Sequence, residues 1–169
     1  MAASAHAGDH RWEGRALAGV RILLGLLWLQ NSGWKVPPAF RALGRSVDRG
    51  IDDPILPSFG WLLDAVVEPN LRLVGWVVLV TELALAVFLL VGLATRLWAL
   101  VGAAVSLGVG LTVAGVPNEW GWSYWLMVAA HVAVAASPAA GRVAGLDGLV
   151  RPAVRDTSAL GRFYLEKAS

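Results

Sequence analysis

The chain has 169 residues, 57% of them hydrophobic and 15% charged, well below the roughly 25% charged content of a soluble domain. Four membrane spans of roughly 20 residues each would take about half of it, leaving no room for a separate soluble catalytic domain. The absence of cysteine excludes disulfides, iron–sulfur clusters and thiolate metal sites within the chain, and the net charge of +2 speaks to topology rather than to nucleic acid.

A polar tail, residues 1–14, leads into a first apolar stretch at 15–34. Its basic start imitates a signal sequence, but it is too long for one and has no small-residue cleavage site after it, so a retained span is expected. The connection that follows opens on Pro37 and Pro38, and at about 35 residues it is far longer than a turn requires; short helices on or dipping into the membrane surface are expected there. Within it Arg41, Arg45 and Arg49 recur every four residues on one helical face, which is either an anion-binding stripe or a face solvated by lipid headgroups. Phe59, Trp61, Leu62, Leu63 and Val66 suit a cover over the mouth of a bundle. Further spans are expected at 71–93, 97–116 and 122–137, punctuated by Pro69-Asn70, Gly92 to Arg96, Pro117-Asn118 and Pro138. The prediction is an all-α polytopic membrane protein: a four-helix transmembrane bundle over 15–138 with a surface or re-entrant helical segment between spans 1 and 2, and a C-terminal tail at 139–169.

Basic residues outside the spans set the orientation. Eight fall on the side of the termini (Arg11, Arg15, Arg96, Arg142, Arg151, Arg155, Arg162, Lys167) and five on the other (Lys35, Arg41, Arg45, Arg49, Arg72), so both termini are expected in the cytoplasm of an inner-membrane protein. In the third span Gly102, Ser106, Gly110 and Ala114 recur every four residues, and in the fourth Ala129, Ala133 and Ser137 do the same. Such stripes allow close helix approach in lipid. Of the nine tryptophans, Trp34, Trp61, Trp76, Trp120 and Trp122 fall near the outward interface as an aromatic belt.

Ionisable residues inside a span are functional candidates by default. Arg21, Glu82 and His131 qualify. Arg21 shares a helical face with Gly25, Trp28, Ser32 and Lys35, and His131 with Tyr124 and Trp120, so both stripes are expected to face the interior. Counting rise per residue puts Glu82 and His131 level near the midplane, which favours them as a pair with Arg21 as a counter-charge below; an Arg21–Glu82 bridge is the alternative. The trio is either polar glue between helices or a proton-active pocket, in which carboxylate and imidazole exchange protons with a ligand while Tyr124 and Trp120 offer hydrogen bonds and stacking surface. Quinone reduction calls for those elements, with Glu82, His131 and Tyr124 as the chemical groups and Trp120, Trp28 and Arg21 lining the ligand. A bis-histidine haem lacks its second intramembrane histidine. His6, Asp9 and His10 have metal-like spacing but sit in the polar tail, so no metal is expected, and nucleotide-binding and hydrolase motifs are absent.

Arg21 with Gly25, Gly33 with Lys35, Glu68-Pro69-Asn70, Glu82, Gly92-Leu93-Ala94-Thr95-Arg96, Trp120 to Tyr124, Gly141-Arg142 and Gly145-Leu146-Asp147 form an ordered set. In that set the chain resembles the DoxX/DoxD-like membrane proteins, and among them the small DoxD-type subunit of thiosulfate:quinone oxidoreductase. The resemblance implies a four-helix membrane bundle linked to oxidation of thiosulfate to tetrathionate with electrons passed to quinone as co-substrate, and a DoxA-type or other redox partner subunit. Lys35, Arg41 and Arg45 would then gather the sulfur oxyanion at the outward mouth. The alternative is a non-catalytic scaffold that docks soluble redox partners through its basic stripe and C-tail; a homo-oligomer is compatible with both.

Overall fold

A computed structural model describes the backbone of residues 2–154 and 158–169 and the side chains of 12–154 and 158–169. All regular structure among the described residues is helical. Helix α1, Ala2–Ser32, runs back through the stretch expected as a polar tail, where alanines at 2, 3, 5 and 7 favour helix. After it come α2, Arg41–Asp52, and α3, Pro57–Leu62, which starts on a proline as a first helical turn permits. A π-helical turn, Leu63–Val67, and a 3₁₀ turn, Glu68–Asn70, carry α3 without a break into α4, Leu71–Val91. Pro69 lacks the N–H an α-helical turn would need there. Helix α4 stops at Gly92, whose φ of 67° is the left-handed cap glycine tolerates best.

Helices α5, Thr95–Val113, and α6, Gly121–Ala136, then pack on each other, and α1 lies against both α4 and α6. The core between them is Leu24, Trp28, Leu85, Leu89, Ala99 and Val134. Around this core the usual order is inverted. Leu23, Leu26, Val77, Val80, Val87, Leu100 and Leu126 face outward, whereas Arg21, Lys35, Glu82, His131 and Asp147 are buried. Hydrocarbon as the outer solvent produces that arrangement. Two stretches, Pro57–Val91 and Thr95–Val113, are long and apolar enough to cross a membrane; α6 is apolar but shorter.

The segment expected to cover the mouth does something else. Trp61, Leu62 and Val66 are exposed and only Leu63 turns inward, because this segment is the first turns of the α4 column. The plug is Phe40, fully buried, with its ring against Gly75 and edge-on to Trp76 at 5.5 Å.

The small-residue stripe of α5 is buried at Gly102, Ser106 and Gly110. Its expected counterpart on α6 is not at the interface: Ala129 and Ala133 are exposed, and His131, Val134 and Ala135 point inward instead. The imidazole occupies the space that glycine leaves. A methyl group at Gly102 would collide with the His131 ring. Gly102→Ala is therefore expected to destabilise by roughly 1–3 kcal/mol through overpacking, read as a lower midpoint of thermal unfolding in detergent.

The motif residues around 92–96 and 145–147 form a clasp. Leu146 N–H donates to the Val91 carbonyl at 2.9 Å and Asp147 N–H to that of Gly92 at 2.8 Å. The Asp147 carboxylate then caps α5, accepting from Ala94 N–H at 2.7 Å and Thr95 N–H at 2.9 Å, and the Tyr164 hydroxyl donates to it at 2.7 Å. Burial, together with that carboxylate, holds the Tyr164 phenol above its ordinary pKa. The tail beyond α6 is thus bound to the bundle rather than hanging free. It contains α7, Ala139–Arg142, α8, Asp147–Val150, and α9, Ala159–Phe163. Arg151 donates to the Leu165 carbonyl at 2.8 Å and to Ser169 Oγ at 2.8 Å.

Candidate functional site within the bundle

Helix α1 organises the polar interior. Its stripe Arg21, Gly25, Trp28 and Ser32, continued by Lys35 in the turn that follows, is buried throughout. Asn31, beside that stripe and absent from the sequence reading, proves to be the hub. Asn31 Nδ2 donates to Glu82 Oε1 at 3.0 Å, its Oδ1 accepts from Trp34 Nε1 at 3.1 Å, and its carbonyl accepts from Lys35 Nζ at 3.1 Å. Lys35 Nζ closes the circuit on Glu82 Oε2 at 2.8 Å and lies 4.0 Å from the centre of the Trp34 ring.

Lys35 was expected at the outward mouth as an anion attractor. It is 4% exposed and ion-paired with Glu82, itself fully buried. A bare carboxylate at that depth would be too costly, so the nearest long cation folds inward to neutralise it.

The expected Glu82–His131 pair does not form; no hydrogen bond or ion pair joins the two. His131 Nε2 accepts from Trp28 Nε1 at 2.9 Å. Indole can only donate, so Nδ1 carries the proton and donates it to the Met127 carbonyl at 2.8 Å. Equal depth on α4 and α6 does not bring the two side chains together, because α1 stands between them with Trp28 for the imidazole and Asn31 for the carboxylate. On the α5 face that meets α6, one turn beyond Gly102, Ser106 Oγ is buried without a partner.

Arg21 is neither a counter-charge to that pair nor a partner of Glu82. Its guanidinium leans back along α1 and donates from NH2 to the Ala144 carbonyl at 2.7 Å, leaving Nε and NH1 buried and unpartnered. The expected inward stripe of α6 also breaks at its start. Trp120 is 70% exposed, and half-buried Tyr124 donates to Glu119 Oε2 at 3.1 Å rather than toward His131. Glu119 also meets Arg49 at 3.3 Å, tying α2 to the connection that leads into α6. Pro117 and the left-handed Asn118 turn the chain just before α6, whose first turn packs on α5 through Gly121 and Tyr124 while Trp120 and Trp122 face outward.

Arg41 and Arg45 remain at the surface. With Trp34, Val36, Pro37, Ala39 and Ala42 they line an open groove of ≈ 360 Å³. Among the described residues no group of three or more His, Asp or Glu is placed to hold a metal ion. The His6, Asp9 and His10 trio, and Arg11 and Arg155 of the orientation count, lie outside the side chains described.

An all-helical, inside-out bundle with a charged pair in its core is the architecture of a membrane protein. A family model described as TQO small subunit DoxD matches residues 54–167, and the chain belongs to the DoxD family. The match takes in Glu82, Tyr124, His131 and the Asp147 clasp, while Arg21, Trp28, Asn31 and Lys35 precede it. No curated protein and no solved structure matches the chain.

Proposed function

We propose that the chain is a four-span subunit of a quinone-linked redox enzyme in the inner membrane, with both termini cytoplasmic, and that the enzyme oxidises thiosulfate. Membership of the family named for the small subunit of thiosulfate:quinone oxidoreductase supports the reaction class. The observation that carries it further is the unbroken line of polar contacts from the basic groove to the core: Trp34 lines the groove, bonds Asn31, and Asn31 bonds Glu82, which is paired with Lys35.

In this reading Arg41 and Arg45 hold the sulfur dianion at the groove. Two thiosulfate ions each give up one electron and join through a new S–S bond, and a quinone takes two electrons and two protons. The quinone supplies the electron acceptor when bound. Electrons reach it through a DoxA-type or other redox partner, since the chain has no cysteine for a thiol relay or an iron–sulfur cluster. Glu82, linked to the groove by the Asn31 and Trp34 hydrogen bonds and held by Lys35, is the carboxylate that takes up and gives back protons in the core. Ser106 Oγ, buried and unpartnered on the α5 face toward α6, and the His131 imidazole are the groups that would meet a ligand carbonyl: the hydroxyl as a donor as it stands, Nε2 as a donor once protonated. Trp28 has to release Nε2 before the imidazole can reach one.

Membranes containing the protein and its partner should reduce a quinone analogue when given thiosulfate. Arg45→Ala should raise the thiosulfate concentration for half-maximal rate about tenfold with little change in maximal rate, because it removes attraction rather than chemistry. A parental concentration dependence in that variant would remove the groove from the pathway.

A further inference from the structure

At the opposite end of α1 from the Trp34 groove, a second open groove of ≈ 670 Å³ runs between the last turn of α4 and the short helices α7 and α8. One wall is apolar, made by Leu90, Val91, Leu146 and Leu149, and Leu149 is among the most exposed apolar side chains of the protein. This wall continues the outward row Val80, Val87 and Val91 of α4, so it opens toward the lipid side of the bundle. Arg142 stands at the polar edge, exposed, and among the described residues its guanidinium has no hydrogen-bond or ion-pair partner.

The floor is Gly145, and Arg21 lies directly beneath it. A methyl group at Gly145 would collide with Arg21 NH1, the same nitrogen that is buried and unpartnered. The groove therefore has one guanidinium, Arg142, at its edge and a second, Arg21, sealed under a floor that carries no side chain. The nearby carboxylate of Asp147 is turned away into the clasp, where Ala94, Thr95 and Tyr164 occupy its oxygens. A small free anion would use the charge but leave the aliphatic wall bare; a ligand with a phosphate and an acyl chain uses both.

We propose that this groove binds an anionic phospholipid, with its phosphate on Arg142 above Gly145 and one acyl chain along Leu90 and Leu149. The site is independent of the redox reading, since it lies at the other end of the bundle and shares no residue with the Trp34 groove.

The test is native mass spectrometry of the full chain ejected from nanodiscs containing equal phosphatidylglycerol and phosphatidylcholine. The parent should retain phosphatidylglycerol preferentially. Arg142→Gln should lower that retention about fivefold, the effect of one basic residue at a lipid headgroup. Leu149→Asn should weaken retention of both lipids, and Arg72→Gln, exposed at the far end, should change nothing. Glycerol phosphate added to the sample should not displace the bound lipid. Equal retention of the two lipids by the parent, undiminished retention by Arg142→Gln or Leu149→Asn, or displacement by glycerol phosphate, which would mark a free-anion site, overturns the proposal.

Discussion

Lys35→Met is expected to lose roughly 3–5 kcal/mol of stability, the cost of stripping one partner from a buried ion pair. Lys35 Nζ is 2.8 Å from Glu82 Oε2, and both side chains are closed to solvent. Without the ammonium, the carboxylate keeps only Asn31. A surface pair such as Arg49–Glu119, at 3.3 Å and half exposed, should yield less than about 1 kcal/mol when Arg49 is replaced by methionine. The contrast between the two variants, read as midpoints of thermal unfolding in one detergent, separates burial from charge. Equal midpoints for the Lys35 and Arg49 variants would mean that the Lys35–Glu82 contact is not maintained in the folded protein.

Asp147→Ala should have the next largest effect, roughly 2–4 kcal/mol. The change orphans the first N–H groups of α5, which an ionised cap stabilises by about 0.5–2 kcal/mol, and removes the acceptor of Tyr164, a charged hydrogen bond worth about 1.5–3 kcal/mol. The two losses are local and share one carboxylate, so they fall short of their full sum. The visible consequence should be release of α9, measured as faster proteolysis beyond residue 154 at a temperature where the bundle itself remains folded. Tyr164→Phe should give a milder form of the same release. The Tyr164 phenol is raised, so its share of the tail's docking is complete below the unfolded phenol's pKa of about 10 and fades as pH rises through the folded value. Proteolysis rates of the parent and of Asp147→Ala that match at neutral pH would show that the clasp does not hold the tail.

Helix content and the column boundaries were legible because hydrophobic length and Pro/Gly punctuation are local properties. Gly92 marks the end of α4, and Gly121 and Ala136 bound α6 within a residue of the positions read from composition. The burial of Arg21, Glu82 and His131 was legible too, since an ionisable group in an apolar run has few other places to go. Their partners were not. Periodicity tells which face of a helix is polar but not which neighbour it meets. Asn31 carried no signal of its own, and Lys35 stood both at the end of the inward Arg21 stripe and at the outward mouth; only the placement of α1 between α4 and α6 brings both to Glu82. The Gly145-Leu146-Asp147 motif carried the family resemblance without disclosing its work, because a cap supplied from 52 residues away along the chain leaves no periodic trace. The α6 stripe misled for a different reason: Ala129 and Ala133 are small enough to pack closely, but the His131 side chain, which must be kept from lipid, fixes the rotation of that helix.

The central claim is that the contact line from the Trp34 groove through Asn31 to the Glu82–Lys35 pair serves the redox reaction and is more than a brace. Lys35→Gln/Glu82→Gln separates the two roles, since it exchanges a buried ion pair for a neutral amide pair of similar volume that still accepts from Asn31. The decisive measurement is thiosulfate-dependent quinone reduction by this double variant, assayed with its partner and alongside its unfolding midpoint. The account predicts a midpoint close to the parent's with turnover lowered by roughly 10²–10⁴-fold, the scale of a lost proton-transfer group. Parental turnover in a folded double variant would contradict it.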